Sequence, residues 1–300
     1  MFYFTQGQGG KIMTSKIGLV AEGGGMRGAY TAGVLECFLD SNLHFPYAIG
    51  VSAGANTLCS YLSEQALRNK RLYTEWITDK RFINWRNLFK EGAYFGMHFL
   101  FEELPLYLDP FDFEHFKESH TIFKVGVTNC LTGECEFMEP SQADSPEAMN
   151  RILRASSSLP FISKQVELNG IPYLDGGISD SIPIEKAQKD GFLYNVVILT
   201  RNANYRKTPS KSTERLAKYA LKRYPNLINT LNHRYKVYND TLDQLTKLEA
   251  EDKVYVIRPT LPLTVDRYEK DSQKLTELYQ QGYEEAKAHL PKLTSWMASK

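Results

Sequence analysis

Two short apolar runs, each meeting a glycine-framed turn and then a helical pattern, constrain the fold more than any other feature of this sequence. Residues 16–21 (KIGLVA) and 47–51 (YAIGV) suit buried parallel strands, and residues 28–40 and 53–65 suit helices. When strand, helix and strand follow one another in this way, the strands are parallel and joined by a right-handed crossover. The pattern therefore predicts an α/β fold.

The rest of the sequence continues this alternation. Asn169-Gly170 lies in the middle of residues 166–174, and this dipeptide is a strong signal for a β-hairpin. Further apolar runs predict strands, and one late helical pattern predicts a terminal helix: the strands at 123–128, 134–138, 194–200 and 254–258, the helix at 271–289. We expect an open, mostly parallel sheet with helices on both faces and a helical C-terminal extension.

Composition excludes several classes of protein. Of 300 residues, 42% are hydrophobic and 24% charged, so the chain can bury a core and is neither disordered nor collagen-like. Its 36 Lys and Arg balance 35 Asp and Glu, so net charge gives no indication of a nucleic-acid partner. Four cysteines are too few for a disulfide scaffold and lack the spacing of a zinc site.

The sequence also predicts how the chain is divided. Residues 1–15 lack the features of a secretion signal, and we expect a flexible leader there. No apolar stretch approaches the roughly 20 residues of a membrane span, so we expect a reduced, cytoplasmic protein. We assign residues 16–202 to the core domain and residues 203–300 to a helical extension packed on it.

A glycine cluster, Glu22-Gly23-Gly24-Gly25-Met26-Arg27-Gly28, follows the first strand. Glycines here let the chain turn sharply and leave backbone N–H groups open at a helix start, where negative charge is stabilised. Such a loop suits a phosphate group or the oxyanion of a reaction intermediate. Taken alone, it would indicate no more than a tight strand-to-helix connection.

The second strand-to-helix junction carries Gly50-Val51-Ser52-Ala53-Gly54. This is the pattern of a nucleophile elbow, in which Gly50 and Gly54 leave space for a sharp turn and Ser52 Oγ projects above the sheet. The N–H of Ala53 would then face an oxyanion. The alternative is that Ser52 only caps a helix, but the neighbouring glycine loop favours the catalytic interpretation.

A base for Ser52 is expected at Leu174-Asp175-Gly176-Gly177, after the predicted hairpin. Serine is a weak nucleophile until a base removes its proton, and a water-poor pocket would raise the basicity of Asp175. The alternative is that Asp175 only shapes a turn. Six histidines are the other candidate bases, and a triad through His115 or His120 ranks below the pair of Ser52 and Asp175 because no histidine lies at a glycine-framed strand end.

These motifs, in this order, resemble the patatin-like phospholipase family. The resemblance covers roughly residues 16–200, and residues 154–160 (RASSSLP) and 175–183 (DGGISDSIP) resemble the bacterial branch of that family. It implies a serine acyl hydrolase without metal or organic cofactor, in which residues 16–202 are the catalytic core and Ser52 and Asp175 form the dyad. It also implies an oxyanion hole in the glycine loop, where Gly24, Gly25 and Met26 supply N–H groups and Arg27 holds the loop; the motif residues carried over are Gly23, Gly24, Gly25, Met26, Arg27 and Gly28.

The expected substrate is a lipid ester or another ester, in the manner of a phospholipase A or lysophospholipase. One alternative is a dinucleotide-binding protein that uses the glycine loop, with Asp40 as the nearest acidic partner for a ribose. Another is a lipid-binding pseudoenzyme without turnover.

Two segments are candidates for lipid contact. Residues 73–116 hold 13 of the 37 aromatic side chains, which we expect either to line an acyl groove or to form a second layer of core. Residues 201–223 carry eight basic residues and one acid, a composition that favours a solvated surface. The segment is also a candidate for peripheral contact with an anionic membrane.

Overall fold

A mixed β-sheet organises the protein, which the computed structural model describes for residues 12–13 and 16–300. Within these residues the chain forms ten strands: β1 (Ile12–Met13), β2 (Ile17–Ala21), β3 (Leu43–His44), β4 (Tyr47–Val51), β5 (Ile122–Asn129), β6 (Cys135–Met138), β7 (Val166–Leu168), β8 (Ile171–Asp175), β9 (Tyr194–Ile198) and β10 (Val254–Ile257). Every strand predicted from the sequence is present.

Helices flank the sheet. They are α1 (Gly28–Asp40), α2 (Ala53–Leu62), α3 (Arg68–Thr74), α4 (Trp85–Lys90), a π-helix (Phe99–Leu108), α5 (Phe113–Glu118), α6 (Pro146–Ser156), α7 (Ile184–Lys189), α8 (Lys211–Ala220), α9 (Pro225–Ala250) and α10 (Ser272–Ala298).

The main sheet has the order β10-β9-β2-β4-β5-β8-β7, with β6 paired to β5. The five strands from β10 to β5 are parallel, whereas β6, β7 and β8 pair antiparallel. Parallel strands place the ends of β2 and β4 at one edge of the sheet, so both glycine-rich turns meet there. The expected α/β architecture is confirmed, and the antiparallel side adds the strand that ends at Asp175.

The predicted hairpin forms at Asn169-Gly170, between β7 and β8. Both residues have positive φ, 51° and 80°, as the tight turn of a two-residue hairpin requires. Helix α2 stops at Leu62 rather than at residue 65, because Glu64 adopts a left-handed backbone with φ 51°. Helix α10 continues past the predicted end at 289 and through Pro291.

The extra turns of α10 are stabilised by burial. An internal proline costs a helix about 3 kcal/mol, but Leu293, Trp296 and Met297 are buried in the core beyond it. The C-terminal third also completes the main sheet, because β10 pairs with β9. The domain boundary near residue 202 stays a prediction.

The predicted flexible leader, residues 1–15, lies outside the described residues except for Ile12–Met13, which pair with β3. No helix among residues 12–13 and 16–300 is long and apolar enough to cross a membrane.

Helices α1 and α10 approach each other through glycine. A Cβ added to Gly282 would lie 2.1 Å from the carbonyl oxygen of Tyr30, and one added to Gly33 would lie 2.0 Å from that of Tyr279. Either contact is far too short, so both helices need the missing side chain at this crossing.

We therefore expect Gly282→Ala to lower the free energy of unfolding by about 1–3 kcal/mol, since the added methyl must push two helix backbones apart. The same change in an open helix would stabilise by roughly 1 kcal/mol. Chemical denaturation measures the difference, with Gln280→Ala on the exposed side of α10 as the control. A Gly282→Ala protein as stable as the wild type would contradict this account of the crossing.

Candidate active site

Ser52 occupies the turn between β4 and α2. Its backbone has φ 54° and ψ −126°, a conformation that non-glycine residues rarely adopt and that concentrates at functional sites. The N–H of Ser52 donates to Ser156 Oγ at 2.8 Å, and Ser156 Oγ in turn donates to the carbonyl oxygen of Gly126. The strained turn is thus held by a buried serine on α6.

The turn is also compact because Gly54 has no side chain. A Cβ on Gly54 would lie 2.6 Å from the carbonyl oxygen of Ala21 and 2.7 Å from that of Glu22, which both lie at the start of the glycine loop. A Cβ on Gly50 would lie 2.8 Å from the backbone nitrogen of Ala55. The two glycine-rich turns therefore pack directly on each other.

Sheet register brings Asp175 towards Ser52. Val51 pairs with Gly126 across β4 and β5, and the next residue of β5, Val127, pairs with Asp175. The Asp175 side chain lies near enough to Ser52 for that residue to lower its pKa, and it accepts the N–H of Gly177 at 2.7 Å. The fold thus brings together the serine and the carboxylate that the sequence singled out.

The pair lies in a protected environment. Asp175 is 3% exposed and Ser52 is 9% exposed. Burial raises the pKa of the Asp175 carboxyl above its ordinary value, while the nearby Ser52 and the charges of Arg267 and Arg234 act in the opposite direction. The result is a carboxylate that is a stronger base than one in water.

The glycine loop offers fewer open N–H groups than the sequence predicts. Gly23 N–H donates to the carbonyl oxygen of Ser181, Met26 N–H to that of Arg267, and Gly28 N–H to that of Gly25. Among the described residues, no protein acceptor takes the N–H of Gly24 or Gly25. The candidate oxyanion donors from the loop therefore narrow to Gly24 and Gly25, and Met26 N–H serves to fix the loop instead.

Arg27 lines a second cavity, beside the loop, and its Nε has no hydrogen-bond partner among the described residues. The role in holding the loop that the resemblance implies for Arg27 stays a prediction. Two backbone carbonyl oxygens, those of Ser181 and Arg267, tie the loop to the rest of the protein.

None of the six histidines, all of which lie within residues 16–300, lines the cavity that contains Ser52. His115 instead lies 3.5 Å from Glu64, and His120 is exposed. Among the described residues no three His, Cys, Asp or Glu side chains cluster as metal ligands would. The structure thus brings no imidazole to Ser52.

An apolar cavity opens beside Ser52. Gly25 and Met26 form part of its wall, and most of the rest is apolar: Tyr73, Phe82, Phe95, Met97, Leu100, Phe101, Leu104 and Phe111. Other aromatic residues of the 73–116 segment behave differently. Phe99 and Phe116 are core residues, whereas Phe89 is 91% exposed. The segment therefore supplies both cavity wall and core, and its contact with an acyl chain stays a prediction.

Two polar residues at this cavity were not identified from the sequence. Asn56 Nδ2 donates to the carbonyl oxygen of Ser52 at 3.0 Å and to Ser157 Oγ at 2.8 Å. Ser156 and Ser157 belong to the RASSSLP segment, which the sequence analysis noted only for its resemblance. A serine run that ends a helix carries no local signal that it supports a distant turn.

The dinucleotide alternative gains no support from Asp40. This residue ends α1, about 18 Å along the helix from Gly28. Its carboxylate accepts a hydrogen bond from Tyr283 at 2.8 Å. The acid is thus at the wrong end of the helix to bind a ribose next to the glycine loop.

Comparison with known proteins finds a matching family, a related sequence and a similar fold. Residues 19–187 match the profile of the patatin-like phospholipase family, and residues 224–298 match a domain of unknown function (DUF6363). The uncharacterized protein YjjU of Escherichia coli strain K12 is 30% identical over 259 residues, which is 83% of this chain and 70% of YjjU. The crystal structure of VipD from Legionella pneumophila superposes with a TM-score of 0.46 at 13% identity, over 92% of this chain and 67% of VipD.

The family match covers more than half of the chain, and YjjU is similar over most of both proteins. The chain therefore belongs to the patatin-like phospholipase family, a family of lipid hydrolases, and the resemblance inferred from its motifs is confirmed.

Proposed function

We propose that this protein is a serine acyl hydrolase that cleaves lipid esters, with Ser52 as nucleophile and Asp175 as base. The observation that carries the proposal is that Ser52, at the wall of an apolar cavity, lies beside the buried carboxyl group of Asp175. Catalytic serines elsewhere are recognised by the same combination of a strained turn and an adjacent base.

The reaction follows from these positions. Asp175 accepts the Ser52 proton as Oγ attacks the ester carbonyl, and the N–H groups of Gly24, Gly25 and Ala53 stabilise the oxyanion. Asp175 then returns the proton to the leaving alcohol. Water attacks the acyl-enzyme with Asp175 again as base, which releases the fatty acid and restores Ser52.

The apolar cavity favours an acyl chain as the part of the substrate next to Ser52. Its aromatic and aliphatic walls can exclude water from a hydrocarbon tail, but they supply few polar partners for a headgroup. A phospholipase A or lysophospholipase activity fits this division. The proposal includes peripheral contact with an anionic membrane through α8, where exposed Leu216 and Tyr219 lie among basic residues.

A fluorophosphonate probe tests the proposal, because it reacts with a serine only when that serine is activated. Mass spectrometry of the labelled wild-type protein should locate the adduct on Ser52, and the same preparation should hydrolyse esters of long-chain fatty acids. Heat-denatured protein is the control for non-specific labelling. A folded protein that takes up no label and cleaves no ester in a panel of phospholipids, lysophospholipids and glycerides would refute the proposal and favour a pseudoenzyme.

A further inference from the structure

A second cavity, of about 400 Å³, lies on the other side of the glycine loop and is used by no step of the proposed reaction. Gly23 and Arg27 of the loop form one wall, and segments of the C-terminal third form the others. Five cationic side chains line it: Arg27, Arg201, Lys207, Arg234 and Arg267. This cavity is called the cationic cavity below.

The positive charge of the cationic cavity is only partly neutralised by the protein. Among residues 12–13 and 16–300, no ion pair with a carboxylate is formed by any of the four arginines or by Lys207. The walls hold two acids, Glu22 and Asp266. Glu22 accepts hydrogen bonds from Thr200 and Tyr238, and Asp266 accepts the N–H of Tyr268. Burial, followed by the charge of Arg234, lowers the pKa of Lys207 well below its ordinary value, but four arginines against two acids still leave a net positive site.

Two of these groups have a buried nitrogen atom without a partner. Arg27 is only 6% exposed, and its Nε makes no hydrogen bond within the described residues. Arg201 is half-buried, and its buried Nε likewise has no partner there. A buried donor without an acceptor costs free energy, so both guanidinium groups are placed to bind an anion that enters the cavity.

The cations also raise one another's electrostatic energy. Burial, followed by the charges of Arg201 and Arg267, lowers the pKa of Arg27 to about 10. Burial and Arg267 likewise lower the pKa of Arg234 to about 10. Both groups stay charged at neutral pH, and a bound anion would relieve the repulsion between them.

The surrounding structure holds Lys207 in place. Asn239 of α9 accepts the N–H of Lys207 and donates to its carbonyl oxygen, both at 2.9 Å. Lys207 Nζ lies 3.2 Å from Ser181 Oγ and 3.5 Å from the centre of the Tyr238 ring. Such a fixed arrangement reduces the entropy lost when a ligand binds.

We propose that the cationic cavity is a binding site for a phosphate group. Donors converge on it from the loop, from residues 201–207, from α9 and from Arg267, which suits a tetrahedral anion with several oxygens better than a planar carboxylate. Arg234 and Arg267 lie within residues 224–298, so the proposal gives this domain of unknown function a role.

The position of the site favours a phosphate that belongs to the substrate. Gly25 and Met26 face the apolar cavity, whereas Gly23 and Arg27 face the cationic cavity. An ester held over the loop could thus place its acyl chain on one side and a phosphate on the other. This assignment of the phosphate rests on the proposed function, but binding of phosphate by the cavity does not.

Isothermal titration of the wild-type protein with sn-glycerol 3-phosphate, inorganic phosphate and glycerol tests the site. We expect both phosphates to bind and glycerol not to bind. Lys207→Met and Arg201→Met should each weaken phosphate binding by about tenfold or more, because each removes a charge-assisted hydrogen bond. Lys211→Met and Arg206→Met are the matched controls, since Lys211 is exposed and Arg206 pairs with Asp243 outside the cavity.

The outcomes separate the sources of the phosphate. Tighter binding of glycerol 3-phosphate than of inorganic phosphate supports a lipid headgroup, and equal binding supports free phosphate as the ligand. Binding that neither Lys207→Met nor Arg201→Met weakens, in variants shown to be folded by their melting temperature, would overturn the proposal, as would no binding by the wild type. Arg201→Lys keeps the charge and should retain most of the affinity.

Ester hydrolysis measured on the same samples keeps the two proposals apart. Phosphate binding without hydrolysis would refute the hydrolase and leave the site standing. Hydrolysis without phosphate binding would support the hydrolase and refute the phosphate site.

Discussion

Ser52→Ala is expected to abolish ester hydrolysis and leave the fold intact. Without Oγ no acyl-enzyme can form, and loss of a nucleophilic serine in other hydrolases costs about 10⁴-fold or more in kcat. The backbone around residue 52 should keep its structure, because the N–H of residue 52 still donates to Ser156 Oγ. Hydrolysis of a long-chain lysophospholipid, followed by fatty-acid release, measures the effect.

Ser212→Ala is the matched control, since Ser212 is an exposed serine on α8. It should have the activity of the wild type. If Ser52→Ala retained more than about one hundredth of the wild-type rate, the nucleophile would have to be another group, since a removed nucleophile leaves only the far smaller contribution of binding and oxyanion donors.

Asp175→Asn is expected to reduce kcat by about 10³-fold or more, because an amide cannot accept the Ser52 proton. The amide oxygen of the substituted side chain can still accept the N–H of Gly177, so the turn that follows β8 should stay folded. Circular dichroism checks the fold, and the rate of ester cleavage measures the loss. Asp180→Asn is a suitable comparison, because Asp180 lies in the same segment but does not contact Ser52. A rate close to that of the wild type would exclude Asp175 as the base.

The pH profile of the wild-type enzyme offers a second measurement on Asp175. The carboxylate must be ionised to act as a base, so activity should fall as the pH decreases through its pKa, which burial raises above that of an ordinary aspartate. Arg234 lowers this pKa, so Arg234→Met should move the acid limb of the profile to higher pH. Arg206→Met, which changes an exposed arginine that pairs with Asp243, should leave the limb in place. If the acid limb stays in place in Arg234→Met, it does not report the ionisation of Asp175.

The sequence predicts the fold and the pair of reacting groups because both depend on local signals. The runs at 16–21 and 47–51 are apolar over one strand length, and Asn169-Gly170 specifies its own turn. Ser52 and Asp175 each lie in a glycine-rich motif that needs no distant residue to be recognised. The sequence could not supply the register of the sheet. In that register Gly126 of β5 pairs with Val51, next to Ser52, and the following residue, Val127, pairs with Asp175.

The cationic cavity could not be predicted for a related reason. Lys207 appeared as one charge in a basic run, and Arg234 and Arg267 stood in segments with no motif at all. Only the tertiary fold brings these charges to Arg27; Tyr238 of α9, for example, donates a hydrogen bond to Glu22 at the start of the glycine loop. The sequence also could not show which N–H groups of the loop are open, because those of Gly23 and Met26 donate to carbonyl oxygens far along the chain, at Ser181 and Arg267.

The hydrogen bond from Met26 N–H to the carbonyl oxygen of Arg267 has a consequence for biosynthesis. The loop that would stabilise the oxyanion leaves the ribosome about 240 residues before the carbonyl group that anchors it. A nascent chain that already contains Ser52 and Asp175 would therefore lack a fixed loop until Arg267 had also emerged. Hydrolytic competence would then arise only after the C-terminal segment had folded back onto the loop, which would protect nearby lipids from an unfinished enzyme.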